Sequence, residues 1–271
     1  VTSDSEDGEG VADTGDKVTI TGENFGTDPS DISVSFNGTP AEFELVDEST
    51  IVATTPADYQ TGSVTVTIHG YTMTGGAMFN PNSKGDVTVL YLQNYKQPFA
   101  KANDESWKNG EWWTPAVWNQ NAASFNAKGN TTVSGMQYKS EEGLTLAFQN
   151  GWDKEAYTNG KMWQVATLRP GKYRLEVTYA YTLVVTDAGN FISVLIAKGD
   201  SESDIPNVAD LEQLNGVYVA YDKMGTANDS GTLVTPSFEV TETTDVVIGF
   251  LTSLAKGNSY FKVTELKLIL E

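Results

Sequence analysis

Arg169-Pro-Gly-Lys-Tyr-Arg-Leu-Glu-Val-Thr-Tyr179 decides the fold class. Its first four residues place Pro at the second and Gly at the third position of a tight turn, where a fixed φ and a left-handed φ are each at home. Tyr173, Leu175, Val177 and Tyr179 then alternate with Arg174, Glu176 and Thr178. A period of two sends one set of side chains to each face of a strand, so this is a half-buried β-strand leaving a turn.

The same signal recurs on both sides. Leu144, Leu146 and Phe148 alternate, as do Ile192, Val194 and Ile196. Phe238 and Val240, then Val246, Ile248 and Phe250, then Phe261, Val263, Leu266, Leu268 and Leu270 supply the last strands, and Val87, Val89 and Tyr91 read as the first. Residues 199–216 are acidic and loop-like, with one short helix expected around Val208–Leu214. With no long amphipathic helix legible, many short strands at this spacing predict a jelly-roll β-sandwich.

The first eighty residues carry a second set of strands. Val18-Thr-Ile20 alternates before the turn Gly22–Gly26, Ile32, Val34 and Phe36 alternate before the hairpin signal Asn37-Gly38, and Thr50–Thr54 runs to Pro56. Val64, Val66 and Ile68 share one face, which puts His69 on the solvated face. Gly15-Asp-Lys-Val-Thr-Ile-Thr-Gly-Glu-Asn-Phe-Gly26, Val34-Ser-Phe-Asn-Gly38 and Ile51-Val-Ala-Thr-Thr-Pro56 resemble the motifs of the IPT/TIG immunoglobulin-like domain. That resemblance implies a small β-sandwich acting as a rigid spacer. Val1-Thr2-Ser3 resembles its first strand, which puts the start of the sequence at a domain edge.

Asn80-Pro-Asn-Ser-Lys-Gly85 is a polar, turn-forming boundary. The expected organisation is all-β: an N-terminal immunoglobulin-like sandwich over 1–80 and a C-terminal jelly-roll sandwich over 86–271, divided between residues 79 and 87. Trp112-x5-Trp118-Asn-x-Asn-Ala-Ala123, Gly151-Trp152 and Asn159-Gly-Lys-x-Trp163-Gln-x-x-x-Leu-x-Pro-Gly-Lys-Tyr173 resemble a domain found behind immunoglobulin-like modules in surface lipoproteins of gut Gram-negative bacteria. The last of these motifs is also similar to galactose-binding-like jelly rolls. The resemblance implies glycan capture beside an outer-membrane transporter, with no particular glycan named. It also implies a place on the extracellular face of the outer membrane, lipid-anchored through a segment preceding residue 1.

All six tryptophans lie between Trp107 and Trp163, four of them in Trp107-Lys-Asn-Gly-Glu-Trp112-Trp113-Thr-Pro-Ala-Val-Trp118. Asparagine and glutamine fill the gaps. A pyranose stacks its C–H face on an aromatic ring, and amides serve its hydroxyls as donors and acceptors. Trp107, Trp112, Trp113, Asn119 and Asn121 are therefore the candidate ligand-binding residues. Adjacent residues on a strand point to opposite faces, and the polar neighbours offer little apolar cover. At least one of Trp107, Trp112 and Trp113 is thus expected to be exposed, Trp113 first. Trp118, Trp152 and Trp163 sit in or beside apolar strand signals and are assigned to the core.

A net charge of −19 argues against nucleic acid and other polyanions as partners. No apolar run approaches the length of a membrane span. The absence of cysteine excludes disulfides, thiolate metal sites and a cysteine nucleophile, and a single histidine leaves serine triads without a base in the tryptophan-rich half. Glycosidases need only two carboxylates, but none of the 36 acidic residues is marked as a pair. No catalytic, metal or cofactor residue is assigned. Asp200-Ser-Glu-Ser-Asp204 offers hard oxygen ligands for a structural Ca²⁺ without a recognised spacing, and a solvated acidic loop is the expectation. Two functions remain: a non-catalytic surface protein that binds polysaccharide or oligosaccharide, and a structural or adhesion module that binds another protein.

Overall fold

The computed structural model describes residues 1–4, 10–81, 83–102, 112–125, 127–128, 131–152, 155–184, 189–225, 228–255 and 258–271. The chain forms two compact units, Val1–Leu90 and Tyr91–Ile269.

The first unit is a sandwich of two four-stranded sheets. One has the order β1 (Thr2–Ser3), β2 (Lys17–Thr21), β6 (Thr50–Thr54), β5 (Phe43–Asp47). The other runs β4 (Thr39–Ala41), β3 (Ile32–Phe36), β7 (Gly62–Ile68), β8 (Tyr71–Met78). The alternating residues of the sequence meet between them: Val18, Ile20, Ile51 and Ala53 from one sheet, Val34, Phe36, Val64 and Val66 from the other. Asn37 and Gly38 both take left-handed φ, the geometry of a tight two-residue hairpin. His69 is exposed as expected, but it lies in the β7–β8 turn at φ +49° and not on a strand face. It is 3.5 Å from the Asp31 carboxylate.

After the short strand β9 (Gly85–Asp86), Thr88–Tyr91 forms one helical turn, α1, where alternation predicted a strand. The cause is local: Asp86 Oδ1 accepts from the Thr88 backbone N–H at 3.0 Å, a turn-initiating bond that competes with extended backbone.

The second unit is a two-sheet sandwich. Its first sheet has the order β10 (Trp112–Trp113), β14 (Ser134–Lys139), β15 (Gly143–Asn150), β23 (Ser259–Leu270), β17 (Gly171–Tyr179), β20 (Gly231–Val234), with β21 (Phe238–Val240) also beside β17. The second sheet runs β11 (Asn119–Gln120), β16 (Tyr157–Leu168), β22 (Thr244–Leu254), β18 (Phe191–Lys198), β19 (Val219–Lys223). A separate ribbon joins β12 (Ala127–Lys128) to β13 (Thr131–Thr132). From β16 to β23 the chain passes repeatedly between the two sheets, as a jelly roll does. Phe148 and Phe261 of the first sheet meet Phe250 of the second at 5.1 and 6.5 Å between ring centroids. Trp118 packs on Phe250 at 5.7 Å and donates its indole N–H to Asn94 O at 3.0 Å.

The outer face of the second sheet is covered by α2 (Val208–Leu214), where a short helix was expected, and the loop before it. Trp163 is buried there, as assigned, but among Leu195, Ile205, Leu211, Val219 and Leu251 and not between the sheets. Trp152 departs from its core assignment: it stands 47% exposed in a turn after β15. The apolar run beside it ends at Asn150, whose amide turns back to Leu254 O and the Ser259 N–H.

Candidate binding cleft

The cleft is built at the edge of the first sheet. β10 pairs with β14, Trp112 opposite Gln137 and Trp113 opposite Met136. Glycine at 135, with φ +151°, allows this pairing: a Cβ there would lie 2.7 Å from Trp113 O. A strand-like segment closes the cleft on another side. Phe99 N–H donates to Leu144 O at 3.3 Å, Ala102 N–H to Thr114 O at 2.9 Å and Ala116 N–H to Ala100 O at 2.9 Å.

Phe99, Ala100, Lys101, Trp113, Met136, Tyr138 and Leu144 thereby line an open cleft of about 550 Å³. Its floor is apolar and continues into the core, since Met136 and Leu144 sit in register with Leu146 and Tyr138 on the inner face of the sheet. Tyr138 is 46% exposed and brings a phenol hydroxyl; Lys101 brings an exposed ammonium. Flat apolar rings with a few polar groups are suited to stacking against an amphipathic ring and bonding its edge. No carboxylate is among the described residues that line the cleft.

Of the five candidate residues, Trp113 lines this cleft. Trp107 lies outside the described residues. Trp112 is corrected: its side is covered and it is 1% exposed, so its ring is unavailable to a ligand. Asn121 is corrected too. Its Nδ2 donates to Asn159 O at 2.9 Å, and its Oδ1 accepts the Ser124 and Lys161 N–H groups at 3.0 Å each. This buried amide ties a turn to β16, with its oxygen already accepting two hydrogen bonds, and is not presented to a ligand. Asn119 is exposed but belongs to the second sheet, opposite Trp163, and does not line the cleft. Phe99, Met136 and Leu144 line the cleft without any local signal that singles them out, and Tyr138 is a tyrosine to which a site falls only if the tryptophans are core. Strand alternation gave Leu144 as core, and nothing local shows that a strand end opens to solvent.

The acidic loop is held by its own donors. Asp204 Oδ2 accepts the Asp200 and Ser201 N–H groups at 3.0 Å each and the Ser201 hydroxyl at 2.6 Å; Oδ1 accepts the Tyr218 hydroxyl at 3.2 Å. The Ser201 hydroxyl first, with the two backbone donors, holds this carboxyl below the usual aspartate value. A Cβ on Gly199 would fall 2.2 Å from Asp204 Cγ, so the chain must pass here as glycine.

Residues 8–83 match the model of the IPT/TIG domain, and residues 93–249 match a family described as a domain of unknown function, DUF5013. No curated protein matches the chain. Solved structures similar to it include TmCBM61 in complex with β-1,4-galactotriose, at 11% identity over 67% of this chain and 98% of that one, TM-score 0.33. Another is the CBM22-1 xylan-binding domain of Paenibacillus barcinonensis Xyn10C, at 13% identity over 63% of this chain and 97% of that one, TM-score 0.31. A third is the K1 cleaved adhesin domain of Lys-gingipain from Porphyromonas gingivalis, at 14% identity over 60% of this chain and 95% of that one, TM-score 0.32. An IPT/TIG domain at residues 8–83 thus precedes the longer matched region, and by the match over residues 93–249 the chain belongs to the DUF5013 family.

Proposed function

We propose that the protein is a non-catalytic, cell-surface polysaccharide-binding protein whose cleft stacks sugar rings on Trp113 and Tyr138. The observation that carries this reading is the pairing of a half-buried indole with an exposed phenol over an apolar floor in a cleft of about 550 Å³. Binding without hydrolysis is supported by the lining, whose described residues include no carboxylate of the pair that glycosidic cleavage commonly uses. The IPT/TIG domain then acts as a spacer, and the outer face of the outer membrane beside a glycan transporter is the proposed setting.

The test is native affinity electrophoresis of the protein and of Trp113→Ala through gels containing soluble polysaccharides, with reducing-sugar release measured alongside. Retardation that Trp113→Ala weakens, with no sugar released, is the expected result. Release of reducing sugar that disappears on mutating one acidic residue would replace binding by catalysis.

A second reading, adhesion to another protein, is favoured by one observation. β8 is an edge strand with Tyr71 80% and Met73 45% exposed, and an open edge can receive a strand from a partner. Failure of every polysaccharide to retard the chain would favour that reading.

A further inference from the structure

The outer face of the first sheet of the second unit carries another aromatic pair, an exposed Trp152 beside a half-buried Tyr260. Gly151 and Trp152 leave β15 with consecutive left-handed φ of +73° and +45°. Glycine is required at the first position, where a Cβ would meet Asn258 Oδ1 at 2.0 Å and Asn258 Cα at 2.9 Å. A bulky residue seldom adopts the second conformation, and persists there only when its surroundings impose it. The result is an indole 47% exposed, with its centroid 5.8 Å from that of Tyr260 and the ring planes inclined at 48°. Tyr260 lies opposite Gln149 on one side and Leu183 on the other, the latter through reciprocal backbone bonds of 2.9 and 2.7 Å. Phe261 and Val263 face the core, so Tyr260 faces outward. Trp113 is in register with Met136, Leu146 and Val263 on the inner face.

We infer that Trp152 and Tyr260 form a second platform for a neutral pyranose, on the opposite face of the sheet from the cleft, which makes the chain bivalent toward polysaccharide. This rests on the glycan-binding reading of the cleft. The inclined rings present a corner for a sugar's C–H face, and the amides of Gln149 and Asn258 flank it. Neutrality follows from charge. The Lys262 ammonium, 5.0 Å from the Tyr260 ring centroid, is paired with Glu142, and the net charge of −19 repels polyanions.

The experiment is affinity electrophoresis of the full chain in gels containing β-1,4-galactan, xyloglucan, galactomannan, dextran or polygalacturonate. Trp152→Ala, Trp113→Ala and the double variant are compared, with melting curves to establish folding. Tyr260→Leu serves as a second platform variant that keeps an apolar filler. At least one neutral gel is expected to retard the protein. Each single change should weaken retardation about tenfold, and the double change should abolish it. Light scattering from cross-linked protein–polysaccharide particles is expected for the unmutated chain alone, since cross-linking needs two sites. Unchanged retardation of Trp152→Ala and Tyr260→Leu, with loss in Trp113→Ala, overturns the platform and upholds the cleft. The reverse pattern overturns the cleft and leaves the platform as the site. Binding to polygalacturonate alone overturns the neutral assignment, and no retardation in any gel overturns both sites.

Discussion

Trp112 and Trp113 share a peptide bond and lie on opposite faces of one sheet, Trp112 opposite Gln137 and Trp113 opposite Met136. The pair therefore separates folding from binding. Trp112→Ala should cost about 3–5 kcal/mol of stability, the range for a buried large aromatic. Trp113→Ala, at a half-buried site, should cost about 1 kcal/mol and weaken retardation by polysaccharide. Thermal melts and affinity gels on both variants check this. Equal destabilisation without a binding difference would make Trp113 ordinary core.

Asp204 should give stability a dependence on acid pH. Its carboxyl is held below the ordinary aspartate value of 3.8, so the stabilisation is fully present above that value and is lost as pH falls through the lower, folded one. Asp204→Ala should lower stability by about 1–2 kcal/mol at neutral pH, since it removes the acceptor of several loop hydrogen bonds. The gap between variant and parent should close as the pH drops below the folded value. A gap that stays constant from pH 7 to pH 2 would assign the loss to packing instead.

Gly249→Ala should be poorly tolerated. The added Cβ would lie 2.1 Å from Met162 O and 2.8 Å from Trp163 Cα, both backbone atoms in the β16–β22 ladder. Neither can swing aside as a side-chain tip can. A loss of about 1–3 kcal/mol is expected from overpacking. A denaturant midpoint equal to that of the parent would show that the two strands separate without cost.

Chelation should leave the fold intact. Asp204, the best-placed oxygen donor of the acidic loop, is already bonded to two backbone N–H groups and two hydroxyls. EDTA should move the melting temperature by less than about 2 °C, equivalent to under about 1 kcal/mol in a unit of this size. A larger drop that Ca²⁺ restores would assign the loop to a metal.

Much of the fold was legible because it rests on period. The alternation at Tyr173–Tyr179 appears as buried positions along β17, and Asn37-Gly38 appears as the β3–β4 hairpin. The misreadings came where one polar bond outweighs period. Asp86 starts a helical turn at Thr88, and Asn150 ends an apolar run and frees Trp152. The site was less legible. Trp113 was singled out by its position next to Trp112, whereas Phe99 and Leu144 reach the cleft through pairing between segments distant in sequence. Asn121 was misjudged because an amide that serves a sugar and one that ties a turn are the same residue type.

The cleft's floor and rim face different constraints. Met136 and Leu144 belong to the layer that holds the sandwich together, so changing their shape disturbs the fold as well as the ligand. Ala100, Lys101 and Tyr138 are the exposed residues of the lining. On the proposed reading, exchange of these exposed residues alone changes which ligand the cleft accepts while the scaffold stays the same.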